Sequence, residues 1–139
     1  MSGSALVVLA TLDHPDREGD LIVSGALAND RAVVSSAEHA VFLGKEEPVG
    51  EARLFEKDGR LWGEVTYDSG ARPAAACDRV NGMRPAWSVG YRVLKHRAPT
   101  PQEAARGTQR VILAWEILEI SPVREPAGAG VGTLEASCA

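Results

Sequence analysis

The sequence predicts a β-rich α+β domain, built on a mostly antiparallel β-barrel of six to seven strands with one or two flanking helices. Short runs of apolar and β-branched residues recur along the chain, and stretches rich in Gly, Pro and Asp separate them. One segment has the alanine content typical of a helix of several turns. A length of 139 residues fits one compact domain. We expect a single domain over residues 1–128 and a flexible C-terminal tail over residues 129–139.

The first predicted strands are short. Residues 5–12 (ALVVLATL) form an apolar run, and the polar segment DHPDREGD that follows predicts a loop. A second strand is expected at residues 21–23. Residues 33–43 (VVSSAEHAVFL) resume a β-branched pattern that ends at Gly44. The pattern therefore predicts that His39 lies within an apolar strand.

The clearest local signal is a β-hairpin over residues 49–67 (VGEARLFEKDGRLWGEVTY). Two alternating segments flank Lys57-Asp58-Gly59, and an Asp-Gly pair readily adopts the positive φ angles of a tight turn. The next segment, SGARPAAACDRVNG, predicts a helix that is entered near Pro73 and closed at Gly82.

Two further strands are predicted at AWSVGYRVLKH and QRVILAWEILEISPV. A proline-rich loop separates them, with room for one helical turn at PQEAA. The second strand is apolar on both alternating faces, which predicts a central strand that is covered on both sides. Beyond it the chain is rich in small residues, and this composition is the reason for expecting a flexible tail.

Charge and composition argue against several classes of function. A net charge of -4 disfavours nucleic acid as a partner, because binding phosphates requires clustered Lys and Arg. No apolar run approaches the roughly 20 residues that cross a bilayer, and the N-terminus lacks the features of a signal peptide, so we expect a cytoplasmic protein without a membrane partner. Cys77 and Cys138 are too few for a disulfide framework and are expected to be free thiols. No Cys or His spacing matches a zinc site, so no metal or cofactor is expected.

Ser88 is the candidate nucleophile. In the segment Trp87-Ser88-Val89-Gly90-Tyr91, strand alternation places the three bulky side chains on one face and Ser88 and Gly90 on the other. Since Gly90 has no side chain, a peptide or an imidazole ring can approach the serine hydroxyl. The ordinary interpretation is a small polar residue in a strand, so the hypothesis requires a base within hydrogen-bond reach.

His39 is the candidate base among three histidines. His14 and His96 lie among charged residues and are interpreted as solvated, whereas His39 lies in an apolar segment. A histidine in such a segment is otherwise a hydrogen-bonded core residue. Glu116 and Glu119 lie three residues apart on opposite faces of the most apolar strand, and either can orient an imidazole. The alternative is that one glutamate is exposed and the other is paired with an Arg.

Five segments, in this order, resemble the prohead proteases of tailed bacteriophages, whose fold is similar to that of the herpesvirus maturation proteases. They are REGDLIVSGAL, His39 followed by Pro48-Val49-Gly50, the hairpin KDGRLWGEVTY, WSVGY and LEISPVREPA. Together they extend over most of the chain. Each motif is short enough to occur by chance, but the ordered set is much more specific.

The resemblance implies a serine endopeptidase in which Ser88 is the nucleophile, His39 the general base and Glu119 the third member, with Glu116 as its alternative. It further implies that the enzyme cleaves the major capsid protein and its scaffold region, and itself, inside an assembling prohead in the cytoplasm of the bacterial host. A homo-oligomer is expected, and no cofactor is needed.

Two other functions fit the sequence. One is a structural or assembly protein that keeps the same barrel without catalysis, because fold does not guarantee activity. The other is an unrelated β-barrel that binds an apolar ligand.

Overall fold

The computed structural model describes residues 3–83, 85–124 and 131–138. Eight strands and two helices lie in these ranges, and five of the strands precede the first helix. In chain order they are β1 (Gly3–Thr11), β2 (Asp20–Ile22), β3 (Arg31–Val34), β4 (Gly50–Lys57), β5 (Arg60–Tyr67), α1 (Ala71–Met83), β6 (Ala86–Arg97), α2 (Pro101–Ala105), β7 (Arg110–Val123) and β8 (Gly132–Cys138).

The predictions of the hairpin and of the two helices are confirmed. β4 and β5 form the expected antiparallel hairpin, with Lys57 opposite Arg60 and with φ angles of 54° at Asp58 and 74° at Gly59. α1 lies in the alanine-rich segment. α2 forms at PQEAA because Thr100 and Glu103 cap its N-terminus through reciprocal side-chain to backbone hydrogen bonds.

The strands form one sheet that curls into a half-barrel. Its order is β2-β7-β3-β4-β5-β1-β8, with β6 on the other side of β7. The sheet is mixed, because β2 and β3 run parallel to β7 while the other pairings are antiparallel. Asn29 lies between β2 and β3 and exchanges side-chain hydrogen bonds with the backbone of Ile117, which continues the pairing along β7. β7 thus has partners on both sides, as its apolar sequence predicts.

The prediction of a flexible C-terminal tail is wrong for residues 132–138. Residues 132–138 form β8, which pairs antiparallel with β1, so the sheet has one strand more than the six to seven expected. Residue 131 precedes the strand, and residues 129, 130 and 139 lie outside the described residues. Small residues do not exclude a strand when a neighbouring edge supplies the hydrogen bonds, and β8 also buries Thr133.

The prediction of free thiols is wrong. Cys77 of α1 and Cys138 of β8 form a disulfide, with 61 residues of sequence separation and 5.8 Å between their α carbons. The number of cysteines can indicate a disulfide framework, but it does not show whether two cysteines form a single cross-link. The pairing arises because α1 packs beside the end of β1 where β8 is added.

Apolar side chains inside the curl form one core, to which β1, β5 and β7 contribute fully buried residues. Trp87 of β6 is fully buried in it, and its indole Nε1 donates a hydrogen bond of 2.8 Å to Thr133 Oγ1 of β8. This bond links two strands that are not neighbours in the sheet. Within the described ranges, neither helix is long and apolar enough to cross a membrane.

Candidate active site

Pairing between β6 and β7 brings four small or acidic residues together. Ser88 lies opposite Ser121, and Gly90 lies opposite Glu119. The neighbouring Trp87 points into the core, as strand alternation predicts. A β carbon built on Gly90 would lie 2.9 Å from Glu119 Oε2, so the Gly90 position faces the carboxylate directly. Ser88, two residues earlier on the same strand, shares this face.

His39 reaches this face from the loop between β3 and β4, and not from a strand. β3 ends at Val34 because serine side chains then take over the hydrogen bonds of the backbone. Ser35 Oγ accepts from the backbone N–H of Val41, and Ser36 binds Glu46 through both its N–H and its hydroxyl. The apolar pattern over residues 33–43 therefore predicted the wrong element for His39.

The loop is fastened to the end of β7 at three successive points. Ser35 N–H donates to the Ile120 carbonyl at 3.0 Å, and Glu38 N–H donates to the Pro122 carbonyl at 2.8 Å. Between them, His39 N–H donates to the buried Ser121 Oγ at 3.0 Å. These bonds fix the height of the imidazole over β7.

Glu38 and His39 both have positive φ angles, 48° and 56°. Non-glycine residues adopt this left-handed conformation at a cost of about 1 kcal/mol or more each, and it persists where surrounding contacts enforce it. Here the enforcing contacts are the bonds to Pro122 and Ser121. Two consecutive residues of this kind at a candidate base are consistent with a site that stores backbone strain.

His39 is hydrogen-bonded to Glu119. Its Nδ1 lies 2.7 Å from Glu119 Oε2 and 3.1 Å from Oε1. Only 1% of the glutamate side chain is exposed, against 25% of the histidine side chain. A buried carboxylate requires a partner of this kind. Nδ1 then carries the proton it donates to the carboxylate, which leaves Nε2 of the neutral ring as an acceptor.

The pKa of His39 is raised above its usual 6.5. The hydrogen bond to Glu119 is the main cause, since it favours the protonated ring, and partial burial opposes it. The hydrogen bond that raises this pKa would also stabilise the imidazolium that forms whenever the ring takes a proton.

Ser88 and His39 line the same cavity of about 240 Å³. Across the described residues, no hydrogen bond joins Ser88 Oγ to the His39 ring. Such bonds are often long in enzymes without substrate and tighten in the complex. The cavity has an apolar floor that includes Ile22, Trp87 and Trp115.

The rim of this cavity carries charged and polar side chains from the loop after β1. They are His14, Asp16 and Glu18. Burial raises the pKa of Asp16, although hydrogen bonds from the backbone N–H groups of Glu18 and Asp20 oppose this. His14 is exposed, as the sequence predicts, yet it also lies at this rim. His96 is exposed on β6 and is absent from the cavity lining.

The structure separates the two candidate glutamates. Glu116 pairs with Arg92 at 2.7 Å on the outer surface, whereas Glu119 pairs with His39. Sequence reasoning missed Ser121, which holds the backbone of His39. A signal was present, because Glu119 and Ser121 are two residues apart and a strand places both on one face.

Phe42 covers the site from outside. Phe42 is 51% exposed, and its ring meets the His39 ring edge-on at 6.5 Å and would lie 3.0 Å from a β carbon at Gly90. In the described ranges, no group of three or more His, Cys, Asp or Glu side chains is arranged to hold a metal ion.

The chain matches no family model, no curated protein and no solved structure.

Proposed function

We propose that this protein is a serine endopeptidase in which Ser88 is the nucleophile, His39 the general base and Glu119 the group that orients His39. The observation that carries the proposal is the buried Glu119 carboxylate bound to His39 Nδ1 beside a cavity that Ser88 also lines. A nucleophile, a base and an orienting acid in one place are the parts that acyl transfer requires. The exposed pairing of Glu116 with Arg92 supports Glu119 over Glu116.

The proposed reaction begins when a peptide carbonyl enters the cavity. His39 Nε2 takes the Ser88 hydroxyl proton as Oγ forms a bond to the carbonyl carbon. Glu119 accepts the Nδ1 hydrogen bond throughout and stabilises the imidazolium. His39 then gives the proton to the leaving amine as the peptide bond breaks. Water, activated by His39, hydrolyses the acyl-enzyme, and both cleavage products leave.

The biological setting is proposed from the resemblance to prohead proteases. The ordered motifs through REGDLIVSGAL, WSVGY and LEISPVREPA support a capsid maturation enzyme with a herpesvirus-protease-like fold. Its substrates would be the major capsid protein, the scaffold region and the enzyme itself, within an assembling prohead in the bacterial cytoplasm. A homo-oligomer belongs to the same proposal.

The test is intact mass spectrometry of the protein co-expressed with the capsid protein encoded beside it. Wild-type protein is expected to shorten the capsid chain or itself, and Ser88→Ala is expected to leave both at full length. Full-length chains in both samples would count against a protease. Ser121→Ala is no substitute for this control, because Ser121 positions His39.

A second candidate is a structural relative that has the same fold without activity. The lack of a hydrogen bond between Ser88 and His39 among the described residues favours this alternative. Reaction with a fluorophosphonate distinguishes the two, because only an activated serine is phosphonylated rapidly. Mass labelling at Ser88 in the wild type supports the protease, and an unlabelled wild type supports the structural relative.

A further inference from the structure

A second cavity, of about 430 Å³, is lined in part by Arg79 and Arg124. We call it the arginine cavity. Glu38, Ala86, Pro122 and Val123 also line it. It has no lining residue in common with the cavity that holds Ser88 and His39.

The arginine cavity nevertheless adjoins the candidate active site along three chain segments. Glu38 directly precedes His39, and Pro122 directly follows Ser121. Ala86 lies two residues before Ser88 on β6, a separation of about 7 Å in a strand. A peptide that lies extended along β6 with its scissile bond at Ser88 therefore reaches the cavity with its second or third residue.

The arginine cavity is lined by two arginines and one glutamate, in a protein whose net charge is -4. Six arginines elsewhere form ion pairs with carboxylates: Arg31, Arg53, Arg72, Arg92, Arg97 and Arg110. Arg79 and Arg124 belong to no ion pair within residues 3–83, 85–124 and 131–138. Arg79 donates from Nη2 to the Ser36 carbonyl, which holds its guanidinium at the loop. Glu38, the one acidic residue of the lining, accepts from the Arg124 backbone N–H through Oε1.

We infer that the arginine cavity is a substrate subsite for an acidic side chain, Asp or Glu, two or three residues from the scissile bond. This inference rests on the proposed protease function and adds its substrate class. A guanidinium binds a carboxylate through two parallel N–H donors, and two guanidinium groups at one cavity favour an anion over a neutral side chain. The apolar lining at Ala86, Pro122 and Val123 suits the aliphatic part of such a side chain.

The experiment measures peptide binding to Ser88→Ala protein, so that binding is read without cleavage. Immobilised protein is incubated with a random heptapeptide pool, and the bound peptides are sequenced by mass spectrometry. We expect Asp and Glu to be enriched roughly fivefold over the input pool, as a partly exposed ion pair allows. The Arg79→Gln/Arg124→Gln variant is expected to lose this enrichment.

A matched control variant has the same net charge as Arg79→Gln/Arg124→Gln. Arg60→Gln/Arg106→Gln removes two exposed arginines that do not line the cavity, and it is expected to retain the enrichment. The single variant Arg124→Gln tests the cavity even if the double variant misfolds, because it leaves the hydrogen bond from Arg79 to the Ser36 carbonyl intact. It is expected to reduce the enrichment of acidic peptides. No enrichment in Ser88→Ala protein, or an equal loss in the control, would overturn the subsite.

Fluorophosphonate labelling of wild-type Ser88 is run in parallel. It reports on the nucleophile without a peptide, so a failed protease proposal and a failed subsite give different results. Labelling without acidic enrichment overturns the subsite alone. Enrichment without labelling supports the anion-binding cavity and counts against the protease.

Discussion

Replacing Glu119 by Gln tests the central pair with almost no change in shape. Both carboxylate oxygens lie within 3.1 Å of His39 Nδ1. The new amide therefore presents one NH₂ group and one oxygen within 3.1 Å of Nδ1. Where the oxygen faces Nδ1 it accepts the proton without a negative charge to stabilise the imidazolium, and where the NH₂ group faces Nδ1 it donates to the ring, which then carries its hydrogen on Nε2. That tautomer cannot take the proton of Ser88.

The expected loss is large because the Glu119 carboxylate is closed to water. With 1% of the Glu119 side chain exposed, solvent cannot replace the lost acceptor. Loss of the correct tautomer in an Asp-His-Ser arrangement costs about 10⁴-fold in rate, or about 5.5 kcal/mol of transition-state stabilisation. We expect the rate of fluorophosphonate labelling at Ser88 to fall by about three to four orders of magnitude.

The pH profile gives an independent readout. His39 must be neutral to act as a base, so wild-type activity should rise with pH through a pKa above 6.5. Glu119→Gln removes the charge that raises this pKa, so the remaining activity should begin to rise at lower pH. The ion pair should also stabilise the fold below pH 6.5, an effect lost as pH rises through the raised pKa.

Glu116→Gln is the matched control on the same strand. Glu116 pairs with the exposed Arg92, and a surface pair of this kind contributes about 0.2–1 kcal/mol to stability. Labelling is expected to stay within about twofold of the wild type. If Glu119→Gln reacts as fast as Glu116→Gln, with the same pH profile, Glu119 does not orient the base and the reasoning from its geometry is wrong.

Three other substitutions test the supports of the site. Gly90→Ala puts a methyl group 2.9 Å from Glu119 Oε2 and should slow the labelling of Ser88 by about tenfold or more. Gly82→Ala, whose methyl group enters open space on α1, should not slow it, and equal labelling rates in the two variants would refute the tight packing at Gly90. Ser121→Ala leaves the His39 N–H without its acceptor, so it should lower the free energy of unfolding by about 1–3 kcal/mol and slow the labelling of Ser88. Unchanged denaturation and labelling would contradict the role of Ser121. Cys77→Ser/Cys138→Ser opens a 61-residue loop and should cost up to about 4 kcal/mol in denaturant unfolding, so a midpoint equal to that of the oxidised wild type would argue against the disulfide.

What could be predicted from the sequence depended on how local the cause was. The Asp58-Gly59 turn and the Thr100–Glu103 cap are decided within a few residues, and both elements were predicted correctly. Alternation alone placed Trp87 and Gly90 on opposite faces of β6. Each of these outcomes follows from backbone geometry without knowledge of distant partners.

The errors have distant causes. β8 forms because the edge of β1 accepts it, and the Cys77–Cys138 bond depends on how α1 lies beside that edge. The loop that carries His39 looks like a strand in sequence, and only its bonds to Ile120, Ser121 and Pro122 show why it leaves the sheet. The choice between Glu116 and Glu119 likewise required knowing which of them lies next to His39.

The two-sided pairing of β7 divides the site into a stiff part and an adjustable part. Glu119 and Ile120 are held by β3 on one side and by β6 on the other, so their amide hydrogens should exchange with solvent only when the whole sheet opens. His39 lies on a loop that can detach by breaking a few hydrogen bonds. In the proposed mechanism, Glu119 is therefore a stationary support against which His39 is aligned. Conditions that loosen the loop are expected to slow fluorophosphonate labelling of Ser88 before the protein unfolds.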